Sequence, residues 1–200
     1  MNTSAPESQA RNFVSGAQEG IDPRTGLFSW RFPLATLSAS ENQAPFLPLS
    51  LHWSPLCTDS RCGPGTGFSL GLTTFDDAVR PARLTLSSGE QYRVDSTLGG
   101  TMSLRQCPLP TLRLRRVETE GKTQIHLEHK DGNTEILEEQ TQSVWLPVRL
   151  VAPAGRFLSL VWTSGQGSNT LTGVYDETGT QLYRYTSGDV PVVTVWPDTP

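Results

Sequence analysis

His126 and His129 stand three residues apart, an H-x-x-H pair of the kind that holds a metal ion. The surrounding sequence reads as strand, and on an extended chain positions three apart point to opposite faces, so the pair is read as two ordinary strand side chains. His52 and Ser54 do share a strand face and supply a base and a nucleophile. No positioned acid or oxyanion turn accompanies them, and an acyl-transfer site needs both. Gly63-Pro-Gly-Thr-Gly67 has the glycine density of a phosphate loop but lacks the Lys-Ser/Thr ending and a following helix, and is read as a tight turn. Cys57, Cys62 and Cys107 are odd in number, so a complete intramolecular disulfide set is impossible. Cys57 and Cys62 are read as thiols near a loop rather than a bridge or half of a metal site. The acid pairs Asp76-Asp77 and Glu138-Glu139 are read as solvated strand ends. No catalytic constellation emerges. The expectation is a non-enzymatic chain with no cofactor and no metal.

Trp30, Trp53, Trp145, Trp162 and Trp196 remain as candidate binding residues. Exposed aromatic clusters on a β-sandwich stack against sugar rings or grip a partner surface, whereas buried ones serve packing alone. Trp145 and Trp162 fall near the same end of one predicted hairpin, which points to their packing together in the core. A sugar-binding module would line one open groove with two or three tryptophans. A structural module would bury them or turn them toward a cavity.

The elements that carry these residues are strands. Four short polar turns, Glu120-Gly121, Asp131-Gly132, Ala154-Gly155 and Thr178-Gly179, each lie between β-prone runs. Such pairs favour tight turns whose twist matches antiparallel strands. With Glu120-Gly121 as a two-residue turn, Leu114 faces Leu127 and Arg113 faces Glu128. With Asp131-Gly132 also a two-residue turn, Leu127 faces Ile136 and Glu128 faces Glu135. One face becomes Leu114, Leu127 and Ile136. The other becomes Arg113, Glu128 and Glu135, where the arginine offsets a like-charge contact. A one-residue slip would exchange the two faces. A three-residue loop at Pro153-Ala154-Gly155 sets Leu150 against Leu158 and Val148 against Leu160.

Two hundred residues suffice to bury a core without disulfides. Charged residues make up 18% of the chain and there are 18 glycines and 15 prolines, a balance that suits many short strands joined by tight turns. The expected fold is all-β, successive antiparallel hairpins forming stacked or curved sheets, as at the start of a β-shell or in a β-sandwich. Four parts are expected: a mobile segment 1–11, an N-terminal β segment 12–76, a hairpin meander 77–170, and a final repeat and strand 171–200. A net charge of −4 with scattered arginines offers no basic stripe, so nucleic acid is not an expected partner. The first dozen residues lack an apolar signal core and no later run has the length of a membrane span. Synthesis in the cytoplasm without a conventional export signal is expected. Gly132, Gly155 and Gly179 recur about every 23 residues, a spacing within the range of stacked repeats, whose open end must be capped or continued.

Leu171-Thr-Gly-Val-Tyr-Asp-Glu-Thr-Gly-Thr-Gln-Leu-Tyr-Arg-Tyr185 resembles the YD repeat, with its Gly, Tyr-Asp, Gly and closing aromatic. Asn12 to Ser15, Ile21-Asp-Pro-Arg-Thr-Gly26, the Pro48 to Ser54 strand and Gly65-Thr-Gly-Phe68 are together similar to the opening of bacterial Rhs-repeat proteins. Phe68 stands where that family usually has Trp, Trp53 where Tyr is common, and Thr180 where the repeat often has Arg. The resemblance implies the N-terminal part of a longer Rhs or insecticidal-toxin-complex-like protein, whose repeats coil into a hollow shell around a C-terminal toxic segment. It implies as partners the remainder of the same chain or an effector cargo, a secretion or toxin-complex subunit, and export from a bacterial cytoplasm by a signal-peptide-independent route. Binding of a carbohydrate or protein through exposed tryptophans is the alternative.

Overall fold

The computed structural model describes residues 18–21, 26–39, 44–55, 67–96, 101–105, 107, 111–119, 121–141, 143–165 and 168–196. The turn residue Glu120, the Cys57/Cys62 pair and most of the Gly63–Gly67 loop lie outside them. Among the described residues sixteen strands run β1 Gln18–Ile21, β2 Phe28–Leu37, β3 Leu47–Trp53, β4 Phe68–Ser69, β5 Thr74–Asp76, β6 Ala82–Thr85, β7 Gln91–Ser96, β8 Thr101–Arg105, β9 Leu112–Thr119, β10 Lys122–His129, β11 Thr134–Thr141, β12 Val144–Val151, β13 Phe157–Gly165, β14 Ser168–Asp176, β15 Gln181–Thr186 and β16 Val192–Val195. The fold is all-β, as expected, and built of successive antiparallel hairpins.

Strands β5 to β12 form a closed barrel, because β12 pairs with β11 on one edge and with β5 on the other. Eight strands leave an interior that side chains just fill. Phe75, Leu84, Val94, Met102, Leu114, Ile125, Leu127, Leu137 and Trp145 fill it. Strands β13 to β16 extend this sheet outward from β12, while β1 to β4 form a separate four-stranded sheet. Leucines of the separate sheet (Leu37, Leu47, Leu49) meet Leu158, Leu160, Leu171, Val174, Leu182 and Tyr183 of the extension in a second buried core.

One strand belongs to both bodies. The first half of β12 pairs with β5 (Val144 with Asp76, Trp145 with Phe75), and its second half pairs with β13 (Arg149 with Ser159 through Val151 with Phe157). Pro147 sits where the partner changes, a position that suits a residue with no N–H to give a ladder. Its carbonyl accepts a 2.7 Å hydrogen bond from Trp162 Nε1. Leu150 faces Leu158 as the three-residue loop requires, and the described pairing stops at Arg149, short of Val148 and Leu160.

Turn chemistry sets the registers. At Gly121 the turn has two residues, and Leu114 faces Leu127 and Arg113 faces Glu128, as read from the sequence. At Asp131-Gly132 the loop has three. His129 N–H donates to Asn133 O and Gly132 N–H to His129 O, with Gly132 at φ 88°. The same two bonds recur at Leu86/Glu90/Gly89, Ala152/Arg156/Gly155 and Asp176/Thr180/Gly179. This is a turn followed by a left-handed glycine that adds a one-residue bulge. The expected facing of Leu127 with Ile136 and Glu128 with Glu135 is therefore wrong by one residue: Leu127 faces Glu135 and Glu128 faces Thr134. The Asp131 carboxylate accepts the Asn133 N–H at 3.0 Å, which stabilises the longer loop. Glu135 consequently lies on the inner face, 7% exposed, and Leu137 opposite Ile125 supplies the apolar contact expected of Ile136.

The two indole N–H groups near β12 give a paired test. Trp162 spends its N–H on Pro147, whereas buried Trp145 Nε1 has no partner among the described residues. Replacing each by Phe removes similar ring volume but only one hydrogen bond. Equilibrium urea unfolding is expected to show Trp162→Phe the more destabilised by about 1 kcal/mol.

Candidate functional site

On β2 the alternation Phe28-Ser29-Trp30-Arg31-Phe32 puts three aromatic rings on one face. Trp53 on β3 lies directly opposite Trp30. The Trp30 and Phe32 rings stack at 5.7 Å and 12°, and the Phe28 and Trp53 rings are 6.1 Å apart. Ile21 opposite Phe28 extends the patch; Ile21 is 67% and Phe28 42% exposed. A register shift between Pro33 and Ala35 carries the same face on to Ala35 and Leu37, which pair with Leu49 and Leu47. One continuous sheet face thus has a leucine end covered by the extension and an aromatic end half open to solvent.

The other three tryptophans lie elsewhere. Trp145 is buried in the barrel beneath the Arg116 guanidinium, 5.3 Å from the ring centre. Trp162 packs half-buried against the second core. The expected packing of these two together fails because β12 changes partner between them, so Trp145 pairs with Phe75 instead. Trp196 follows β16 with a positive φ of 49°, exposed, its N–H donating to Leu182 O at 2.7 Å.

β16 itself pairs with β15 along one edge, and no described strand occupies its other edge. Val192 and Val193 are 50% and 40% exposed, with Val190 more so. An apolar edge with no lysine and no covering strand among the described residues is a template for further strand pairing.

The Tyr175-Asp176 pair has a local structural role. Asp176 accepts hydrogen bonds from Thr178 N–H, Thr180 N–H and Thr178 Oγ1 at 2.9, 2.9 and 2.6 Å. Burial alone would raise its pKa, but these donors hold the carboxyl below its ordinary range. The Tyr175 ring lies over Gly173 so closely that a Cβ there would come within 2.7 Å of it. The motif thus fixes a turn and fills the space above a glycine.

The polar candidates separate. His126 Nε2 lies 3.2 Å from Gln124 Oε1, while His129, on the opposite face, bonds Glu135. His52 Nε2 is buried against Gly71 with no hydrogen-bond partner among the described residues, and burial together with nearby Arg31 lowers its pKa. Ser54 joins His52 in lining a cleft between the separate sheet and the barrel. Among the described residues no three His, Cys, Asp or Glu side chains converge as metal ligands. The arginines, by contrast, are less scattered than they are in the sequence: Arg83, Arg93 and Arg105 face one another across β6, β7 and β8.

No protein-family model matches the sequence, and no curated protein matches it. Solved structures do share its fold. The crystal structure of TcdB2-TccC3 superposes with a TM-score of 0.54 at 16% identity, covering 88% of this chain and 11% of that one. A Photorhabdus luminescens Tc holotoxin pore carrying a TccC3 mutation gives 0.52 at 17% identity, covering 89% and 10%. The N-terminal domain of the effector SpvB from Salmonella typhimurium gives 0.45 at 16% identity, covering 82% and 70%. The chain spans about a tenth of the length of the first two. The likeness to toxin-complex proteins read from the sequence is found again in the fold.

The His129–Glu135 contact, 2.8 Å at the end of the barrel, gives a pH test. The hydrogen bond to Glu135 raises the His129 pKa above its ordinary 6.5, against the opposing effect of burial, and Asp131 adds to the rise. A raised folded pKa means that the stabilisation is complete below the unfolded value and lost as pH rises through the folded one. Between about pH 5.5 and about pH 8.5, wild type is expected to lose on the order of 1 kcal/mol relative to His129→Gln, read from thermal unfolding of both.

Proposed function

We propose that this chain is a non-enzymatic wall module of a toxin-related protein, an N-terminal part of an Rhs-type shell that encloses an effector polypeptide and helps deliver it. The observation that carries this reading is the apolar edge of β16, which no described strand covers, at the far side of a sheet whose other described strands are paired on both edges. The fold shared with about a tenth of each toxin-complex chain supports it. In this reading further strands pair with β16, and the wall shields an unfolded or aggregation-prone cargo by satisfying its own backbone groups. The remainder of the same chain, the cargo and a toxin-complex or secretion subunit are then its partners. It is made in a bacterial cytoplasm and exported.

The aromatic patch favours a second reading, a carbohydrate- or protein-binding module that uses Trp30 and Trp53, whose rings lie on one face with Phe28 and Phe32. Oligosaccharide binding through these rings would quench or shift tryptophan fluorescence and would be lost in Trp30→Ala.

An immunoblot of source cells with an antibody against this chain tests the wall reading. The expected band is several times larger than 21.9 kDa. A band near that mass, with a coding sequence that also stops at Pro200, contradicts encapsulation.

A further inference from the structure

Arg83 on β6 lies opposite Arg93 on β7, and Arg93 lies opposite Arg105 on β8. Three arginines therefore stand side by side on the barrel's outer surface, their Cα atoms about 5 Å apart. Like charges directly opposite each other destabilise strand pairing. The core does not require them, since the flanking Ala82, Leu84 and Val94 make the inward contacts. Asp95 relieves Arg105 through both carboxylate oxygens, at 2.5 and 3.0 Å. Arg83 and Arg93 have no side-chain hydrogen bond or ion pair among the described residues.

Beside the row runs a cleft of about 390 Å³, with Arg83 on its wall. His52, Ser54 and Ser69 from the separate sheet face Thr85 and Gln91 from the barrel across it. Asp76, opposite Arg83 and accepting the Ala78 N–H at 2.9 Å, also lines it. The other polar groups carry no net charge and suit a peptide backbone, and Arg83 joins them to the arginine row.

We propose that the cleft and the arginine row together bind an extended acidic polypeptide segment, its carboxylates pairing with Arg83 and Arg93. Asp95 on Arg105 shows that a carboxylate fits this surface in a forked geometry. Alternate residues of an extended peptide lie about 7 Å apart, within reach of neighbouring arginines. Nucleic acid and anionic membranes fit less well. Both depend on a broad positive field, whereas this row is flanked by Asp76 and Asp95 on a chain of net charge −4. Recognition here is short-ranged and counts individual carboxylates. The row lies on β6 to β8 and the open edge on β16, so this reading and the wall reading fail separately.

The test is fluorescence anisotropy of the 200-residue chain with a labelled alternating Glu-Ser dodecapeptide and its Gln-Ser counterpart, at low and physiological salt. The Glu-Ser peptide is expected to bind, the Gln-Ser peptide not to, and the double variant R83Q/R93Q to lose at least tenfold in affinity. Its melting temperature is expected to hold or rise, because a like-charge contact is removed. Undiminished binding by R83Q/R93Q, or no binding of the Glu-Ser peptide by wild type, overturns the proposal. So does tighter binding, through the same two arginines, of a single-stranded oligothymidylate or of phosphatidylserine vesicles.

Discussion

The partner change along β12 is the constraint on which both cores depend. Its outer neighbour is β11 throughout, but its inner neighbour is β5 up to Trp145 and β13 from Arg149 onward. Without the first pairing the barrel is an open sheet. Without the second, strands β13 to β16 have nothing to grow from, and the leucines of β2 and β3 lose the layer that covers them. Pro147 and the Trp162 indole hold the changeover by accounting for the backbone groups that a switching strand leaves unpaired. A residue chosen from sequence as a binding candidate is thereby committed to structure.

The barrel interior is filled by side chains, and hydrogen-bonded or ionic side-chain pairs stand at both of its ends. His129 bonds Glu135 at one end, and Arg116, over the Trp145 ring, lies 3.3 Å from Asp77 at the other. This barrel is a solid body. Any enclosure in which the chain takes part is formed on a larger scale, by sheets added at β16 or by surfaces such as the aromatic end of β2 and β3. Burial within the chain and exposure at its edges therefore belong to one design, with rigid closed elements displaying open ones.

Local features were legible in the sequence and non-local ones were not. Gly121 between β-prone runs led directly to the Leu114–Leu127 register, because a two-residue turn leaves no freedom. Asp131-Gly132 carries the same signal, yet the Asp131 carboxylate and the Asn133 N–H add a residue to the loop and move Glu135 inside. A dipeptide does not report that difference. The closure of β12 on β5 joins residues about seventy positions apart, so no local pattern announces it. Arg83, Arg93 and Arg105 lie ten and twelve residues apart in the chain, the length of a hairpin, and that spacing was the available sign that they would align. Trp30 and Trp53 were legible as strand aromatics but their pairing was not, because it depends on the β2–β3 register.

In the proposed wall, the outer edge of β16 is a joint. Amide hydrogen exchange of residues 192–195 tests it most directly, compared between the isolated chain and the natural full-length gene product. Fast exchange of the outward-facing amides is expected in the isolated chain and strong protection in the full product, where a further strand would bond them. Equally fast exchange in both would contradict it, because an edge left free in the complete protein joins nothing.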